Sequence, residues 1–198
     1  MEISPKPIYG NWAHGWALDR HTLSSRAGEG GRSKFDRFAT ERSELGQALF
    51  RLKYQDEHAL VAPLAGTVTA FVHSHPELAD IRAVLAVPPS DTGRSFQPVE
   101  AIATAVAREL GLPAPDDYLL KVKRTAPLKN VDDKRGRREE LEGAFAVVDQ
   151  RFAGMPLLLF DDLYRSGETL KAVTAALLFE GQAGKVSVVA LTWTRTKK

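Results

Sequence analysis

The chain has 198 residues, 43% hydrophobic and 26% charged, a size and balance that suit one globular domain with a sizeable core. A net charge of +2 gives no global field for nucleic acid, and the absence of cysteine excludes disulfides and thiolate metal centres. No apolar run approaches the roughly 18 residues of a membrane span, and the first residues lack an apolar signal core, so a cytoplasmic protein without membrane contact is expected.

Residues 1–39 are rich in glycine, serine, arginine and aromatics, and Gly28-Glu29-Gly30-Gly31 is the expected flexible centre. Trp12, Trp16 and Leu18 predict a short strand before it. Residues 40–54 predict a helix with Thr40 as N-cap and Leu45, Ala48, Leu49 and Leu52 as its apolar stripe. A second helix is predicted over 56–72, bent or restarted at Pro63. His73-Ser74-His75 reads as the end of that helix rather than a metal site, since two histidines without a third ligand are a weak set.

The uninterrupted apolar run 83–87 predicts a buried strand ended by Pro88-Pro89. A helix follows over 98–110, with Gly111 suited to its C-terminal cap. Strands are predicted at 118–122, 144–148, 156–160 and 186–191, a polar basic loop at 123–140, and a helix at 169–179 stopped by Gly181 and Gly184. Strands alternating with helices predict an α/β fold: a doubly wound, mostly parallel sheet with right-handed crossovers. Residues 1–80 form a small N-terminal extension in this reading, and 81–198 the ligand-binding core.

Residues 157–169, Leu-Leu-Leu-Phe-Asp-Asp-Leu-Tyr-Arg-Ser-Gly-Glu-Thr, carry most of the chemistry. Asp161 and Asp162 stand where a buried parallel strand should end, and ligands of open α/β sheets bind at that end. Two carboxylates suit the vicinal hydroxyls of a sugar, which donate well to a charged acceptor. The turn Leu163, Tyr164, Arg165, Ser166, Gly167, Glu168, Thr169 opens a helix, whose N-terminal N–H groups suit a phosphate. Gly167 lets the backbone approach, Ser166 and Thr169 add hydroxyls, and Glu168 is expected to point away from the anion.

Two further segments fit an anionic ligand. Pro88-Pro89-Ser90-Asp91-Thr92-Gly93-Arg94 is another strand-to-helix turn, in which Arg94 could add a bidentate contact. From Lys121 to Arg138 there are eight basic residues, Arg124, Lys129, Arg135 and Arg137 among them, against Asp132 and Asp133. A long cationic loop suits a flap closing over a leaving group of high negative charge. A solvated loop or a nucleic-acid patch are the other readings of that segment.

The 157–169 segment resembles the phosphoribosyl pyrophosphate (PRPP) signature of type I phosphoribosyltransferases: four hydrophobics, two acids, a variable loop, then Ser166, Gly167 and Thr169. Residues 82–198 resemble the ComF-like branch of that family, on Val87-Pro88, Arg94-Ser95-Phe96-Gln97, Arg124-Thr125, Arg137 and Gly143-Ala144-Phe145. Glu140 and Gln97-Pro98 depart from the branch pattern, and its N-terminal zinc cluster is absent.

The resemblance implies a type I phosphoribosyltransferase fold in which 1–80 contains a hood over the acceptor. Trp12, Trp16, His21 or Phe35 would stack on a base there, or else belong to the core. It implies Asp161 and Asp162 as the catalytic carboxylates, 163–169 as the PRPP loop, and Pro89, Ser90 and Arg94 as the pyrophosphate loop. Arg124, Lys129, Arg135 and Arg137 would form the flexible flap. Mg²⁺ is the implied cofactor, held through PRPP oxygens and waters with Asp161 as the one protein oxygen that could join them. The implied reaction moves the phosphoribosyl group to a nitrogen acceptor, a nucleobase by preference, with release of pyrophosphate. A non-catalytic PRPP or nucleotide sensor and an accessory factor in DNA uptake are the alternatives. A homodimer is common in such folds.

Overall fold

The computed structural model describes residues 1–27, 38–91, 93–123 and 134–194. Nine strands are found among them: β1 (Lys6–Pro7), β2 (His14–Arg20), β3 (Ser24–Ala27), β4 (Phe38–Glu41), β5 (Ala83–Ala86), β6 (Leu119–Lys121), β7 (Phe145–Val147), β8 (Pro156–Tyr164) and β9 (Lys185–Trp193). The α-helices are α1 (Glu44–Tyr54), α2 (Val61–His73), α3 (Pro98–Leu110), α4 (Lys134–Leu141) and α5 (Glu168–Phe179). Single 3₁₀ turns lie at His58–Leu60 and Pro76–Leu78.

The central sheet has the order β1-β2-β9-β8-β5. All pairs are parallel except β1 with β2. Alternation along β8 divides the core in two. Leu157 and Leu159 join Val186, Val188 and the α5 residues Leu170, Val173 and Leu177 on one face. Leu158 and Phe160 join Val189, Leu191 and residues of α1, α2 and α3 on the other. Helices therefore cover both faces of a mostly parallel sheet, as the alternation of apolar runs predicts. The sequence before residue 81 shares this sheet and core: β2 pairs with β9, and Leu18, Leu45, Leu49 and Leu64 pack against Leu158 and Val189.

Several boundaries differ from expectation. The first helix starts at Glu44, with Ser43 rather than Thr40 as its N-cap. The Ser43 hydroxyl accepts from Gly46 N–H (3.0 Å) and donates to Arg20 O (2.5 Å), while Thr40 lies in β4, paired with Ser25. Pro63 falls in the first turn of α2, where a missing N–H costs nothing, so that helix runs without a break. Before it, the predicted segment from Asp56 holds only a 3₁₀ turn. Gly111 caps α3 at φ 67°, as predicted.

The apolar runs at 118–122 and 144–148 do not join the main sheet. Their strands β6 and β7 pair antiparallel as a separate ribbon. The second half of the predicted basic loop is helical, because α4 spans Lys134–Leu141 and anchors through buried Leu141. Residues 28–31, Phe35, Arg124, Lys129 and the segment 125–127 lie outside the described residues.

Candidate functional site

The β8 strand delivers its carboxylates to the carboxyl end of the sheet, but it does not stop there. Leu163 and Tyr164, expected in the loop, continue the strand by pairing with Thr192 and Trp193 of β9. Tyr164 O accepts from Thr194 N–H (3.0 Å). The turn is therefore only Arg165–Gly167. Consecutive strand residues face opposite sides, so Asp161 follows the α5 face and Asp162 the α1 face.

Gly167 is the N-cap of α5, at φ 77°, and no side chain caps the helix there. A Cβ on Gly167 would lie 2.9 Å from Cε2 of Tyr164, so the tyrosine ring and the turn fit only around a glycine. We expect Gly167→Ala to cost about 1–2 kcal/mol of stability, from the left-handed backbone and the displaced ring. Urea unfolding would show it, and a variant as stable as the wild type would contradict the strain.

Beside this turn is a hollow of about 90 Å³ lined by Asp161 and by residues 163–170, all seven predicted PRPP-loop residues among them. Glu168 is buried and pairs with Lys171 Nζ at 2.9 Å, so the acid nearest the helix N-terminus is already neutralised. Thr169 and Asp161 line both this hollow and a larger neighbouring cleft of about 570 Å³, a size typical of small-molecule sites.

The far wall of the cleft is the loop after β5. Pro89, Ser90 and Arg94 all line it. Arg94 is held back by Asp91, with Nε 3.6 Å from Oδ2. Asp91 in turn accepts from Gly93 N–H (3.1 Å) through Oδ1, and from Gln97 Nε2 (2.9 Å) through its carbonyl. Lys121 and Leu141 close a third side. Burial lowers the Lys121 pKa, and the charge of Glu140 opposes that. Arg135 and Arg137 belong to α4 instead of a loop, and their side chains lie outside the described residues.

No motif pointed to the residue in closest contact with the carboxylates. Lys53, in the last turn of α1, places Nζ 2.5 Å from Asp162 Oδ2, and both side chains are largely buried. Burial alone would lower the Lys53 pKa, but the charge and hydrogen bond of Asp162 more than offset it, and the net shift is upward. Asp162 is fixed at its backbone too: its N–H donates to Asp161 Oδ1 (2.8 Å), and its carbonyl accepts from Thr192 Oγ1 (2.9 Å). Burial and then the adjacent Asp162 charge push Asp161 up to about 8, against the smaller opposing effects of the Asp162 N–H and Lys53.

His21 lies one step behind this pair, with Nδ1 3.1 Å from Thr192 Oγ1. Burial first, then the charge of Arg42, lowers its pKa. It braces Thr192, whose hydroxyl donates to the Asp162 carbonyl. Trp12 is core, its Nε1 donating to Ile8 O (3.0 Å). Trp16 packs on Phe71 and His75. His73 ends α2, and His75 lies just past its C-cap Ser74, with Nδ1 2.8 Å from Phe71 O. Among the described residues no group of three or more His, Asp or Glu side chains could hold a metal ion. No described helix is long and apolar enough to cross a membrane.

No family model matches the chain, and no curated protein matches it. Among solved structures it is similar to UMP synthase of Leishmania donovani, with 19% identity and a TM-score of 0.42 over 85% of this chain, which spans 28% of that one. It is also similar to TT1426 of Thermus thermophilus, with 17% identity and a TM-score of 0.36 over 70% of this chain and 82% of that one. Neither superposition is close enough to bear on the chemistry of the cleft. That chemistry is set by two carboxylates, one proton-retaining and one paired to a buried lysine, between a phosphate-sized hollow and a larger cleft.

Proposed function

We propose that the chain is a type I phosphoribosyltransferase that binds PRPP with Mg²⁺ and transfers the phosphoribosyl group to a nitrogen acceptor, a nucleobase by preference. One observation carries the reading. The strand bearing Asp161 and Asp162 runs directly into the uncapped α5 N-terminus, and Asp161 and Thr169 border both the small hollow and the large cleft. A sugar on the carboxylates would have its 5′-phosphate at residues 165–169 and its diphosphate towards Pro89, Ser90 and Arg94. Placement in the ComF-like branch is the finer part of the proposal and rests on the residue resemblance alone.

In this mechanism Asp162, and Asp161 once binding has released its proton, accept hydrogen bonds from the ribose hydroxyls, and their charge favours the cationic sugar that forms as the C1–oxygen bond loosens. The N–H groups of the α5 first turn and the hydroxyls of Ser166 and Thr169 hold the phosphate. The protein needs no nucleophile; its contribution is orientation and charge stabilisation. A Mg²⁺ would be held mostly by PRPP oxygens and waters, as this hard ion prefers, with Asp161 as the carboxylate able to join. That ion would supply neutralisation of the diphosphate charge.

A second reading, a PRPP or nucleotide sensor without turnover, is favoured by the ion pairs that already occupy Asp162 and Arg94. Titration calorimetry with PRPP and Mg²⁺, followed by pyrophosphate release over a panel of purine and pyrimidine bases, separates the two. Binding followed by release with one base is the expected result. Binding without release across the panel would establish the sensor, and no binding at all would overturn both readings.

A further inference from the structure

We propose that Lys53 of the N-terminal helix α1 is a positioning residue of the sugar site, which sets Asp162 to offer a single oxygen to the substrate. The proposal rests on the phosphoribosyltransferase reading and adds to it a residue from outside the segments that resemble that family.

The geometry around Asp162 is closed on three sides. Its N–H is spent on Asp161 Oδ1, its carbonyl on the Thr192 hydroxyl, and its Oδ2 on Lys53 Nζ. Among the described residues Oδ1 of Asp162 has no hydrogen-bond partner, so one carboxylate oxygen remains for a hydroxyl. An aspartate carboxylate can rotate about χ2 at little cost. A buried, charge-assisted bond to one of its oxygens removes that freedom.

Lys53 is itself held from the far end of its helix. The Ser43 hydroxyl bonds Arg20 O and caps Gly46 N–H. A Cβ added at Gly46 would lie 2.3 Å from His21 O, so α1 sits directly on the end of β2. Leu45, Leu49 and Leu52 then fix the rotation of the helix on the sheet. The cation thus reaches Asp162 from a rigid element, as a precise site requires. A sequence separation of 109 between the partners makes the contact a property of the fold rather than of either motif.

A purely structural ion pair would also be buried and close. The difference lies in what else the pair borders: Lys53, Asp161 and Asp162 all line the cleft, on the wall facing the loop after β5. A lysine that only fastened α1 to β8 would leave substrate affinity unchanged when replaced by a residue that keeps the fold.

The test compares the wild type with K53M and K53R, using Mg²⁺·PRPP in calorimetry, steady-state pyrophosphate release with the accepted base, and the Asp161 carboxyl titration by carbon-13 NMR without ligand. K53M should weaken PRPP binding by about 10-fold or more, the scale of a hydrogen bond to a charged group. It should raise the KM for PRPP while leaving the KM for the base near its wild-type value. K53R should recover most of the PRPP affinity. Lys53 also opposes the upward shift of Asp161, so the Asp161 titration should move higher in K53M and stay near wild type in K53R.

If K53M proves too unstable to assay, K53R and K53Q at reduced temperature give the same comparison of charge against none. Wild-type PRPP affinity in a folded K53M or K53Q would overturn the role of Lys53 while leaving the function reading intact. Equal losses for PRPP and base in every variant would mark a structural pair only, and would overturn it too. Wild-type protein that binds no PRPP would end the function reading, and the proposal with it.

Discussion

On the phosphoribosyltransferase reading, Asp162→Asn should lower PRPP turnover by about 100- to 1,000-fold, the range seen when one charge-stabilising group is removed from a preorganised site. The same change removes the partner of Lys53, whose Nζ lies 2.5 Å from Asp162 Oδ2 and is mostly shielded from water. An ammonium left unpaired at such a place costs about 3 kcal/mol. Asp162→Asn should therefore be both slow and less stable. The double variant K53M with D162N separates the two effects. It leaves neither charge of the pair buried alone, so urea unfolding should return close to wild-type stability, while turnover stays at the level of the single variant. Turnover unchanged in Asp162→Asn would remove Asp162 from the chemistry. Stability unchanged in the same variant would mean that the ion pair is solvated.

The elements that frame this site were legible where apolar runs are long and their stops unambiguous. The runs at 83–87 and 157–160 specify buried parallel strands because they hold no polar residue. Gly111 and the α5 stripe Leu170, Val173 and Leu177 specify helices by period and cap. The acidic pair, the turn to α5 and the loop after β5 follow from the ends of those strands, which is why the predicted positions Asp161, Ser166, Thr169, Ser90 and Arg94 all line one of the two cavities.

What the sequence concealed depends on partners far away in the chain. Leu163 and Tyr164 are strand because Thr192 and Trp193 are beside them, and nothing in Asp-Asp-Leu-Tyr-Arg announces that neighbour. The runs containing β6 and β7 resemble those of the main sheet, but they turn on each other in a ribbon. Helix α4 has the sequence KRGRREEL, almost without an apolar stripe, and Leu141 alone of its residues is a buried hydrophobic. Thr40 and Ser43 are both acceptable N-caps locally. The choice between them is made by Arg20 O, which accepts from Ser43. Lys53 follows Leu52 of the stripe and would pass for an ordinary solvated residue of the last turn. Only the seat of α1 against β2 and β9 brings it to Asp162.

Asp161→Asn should make the protein more stable above neutral pH and leave it unable to turn over PRPP. Asp161 titrates near 8 in the folded protein against 3.8 ordinarily, because burial and the Asp162 charge disfavour its ionised form. Between about pH 4 and pH 8 the folded protein keeps a proton that the unfolded chain releases. The stabilisation that this group contributes is thus fully present below about pH 4 and is lost as the pH rises to about 8. Asparagine mimics the protonated acid and can still accept from Asp162 N–H, so its stability should not fall over that window. At pH 8.5 the variant should exceed the wild type by on the order of 2 kcal/mol, with the two curves converging near pH 4. Parallel curves in urea unfolding from pH 4 to 8.5 would show that Asp161 is not the group responsible. A residue that costs stability and retains its proton is an odd feature for a fold alone, but it suits a site awaiting a ligand. Ribose hydroxyls and the positive charge accompanying a diphosphate both favour the carboxylate, so binding of Mg²⁺·PRPP at pH 7 should release a proton. Calorimetry in two buffers of different ionisation enthalpy measures that proton directly. Its absence in Asp161→Asn, together with its presence in Asp162→Asn, would assign it to Asp161.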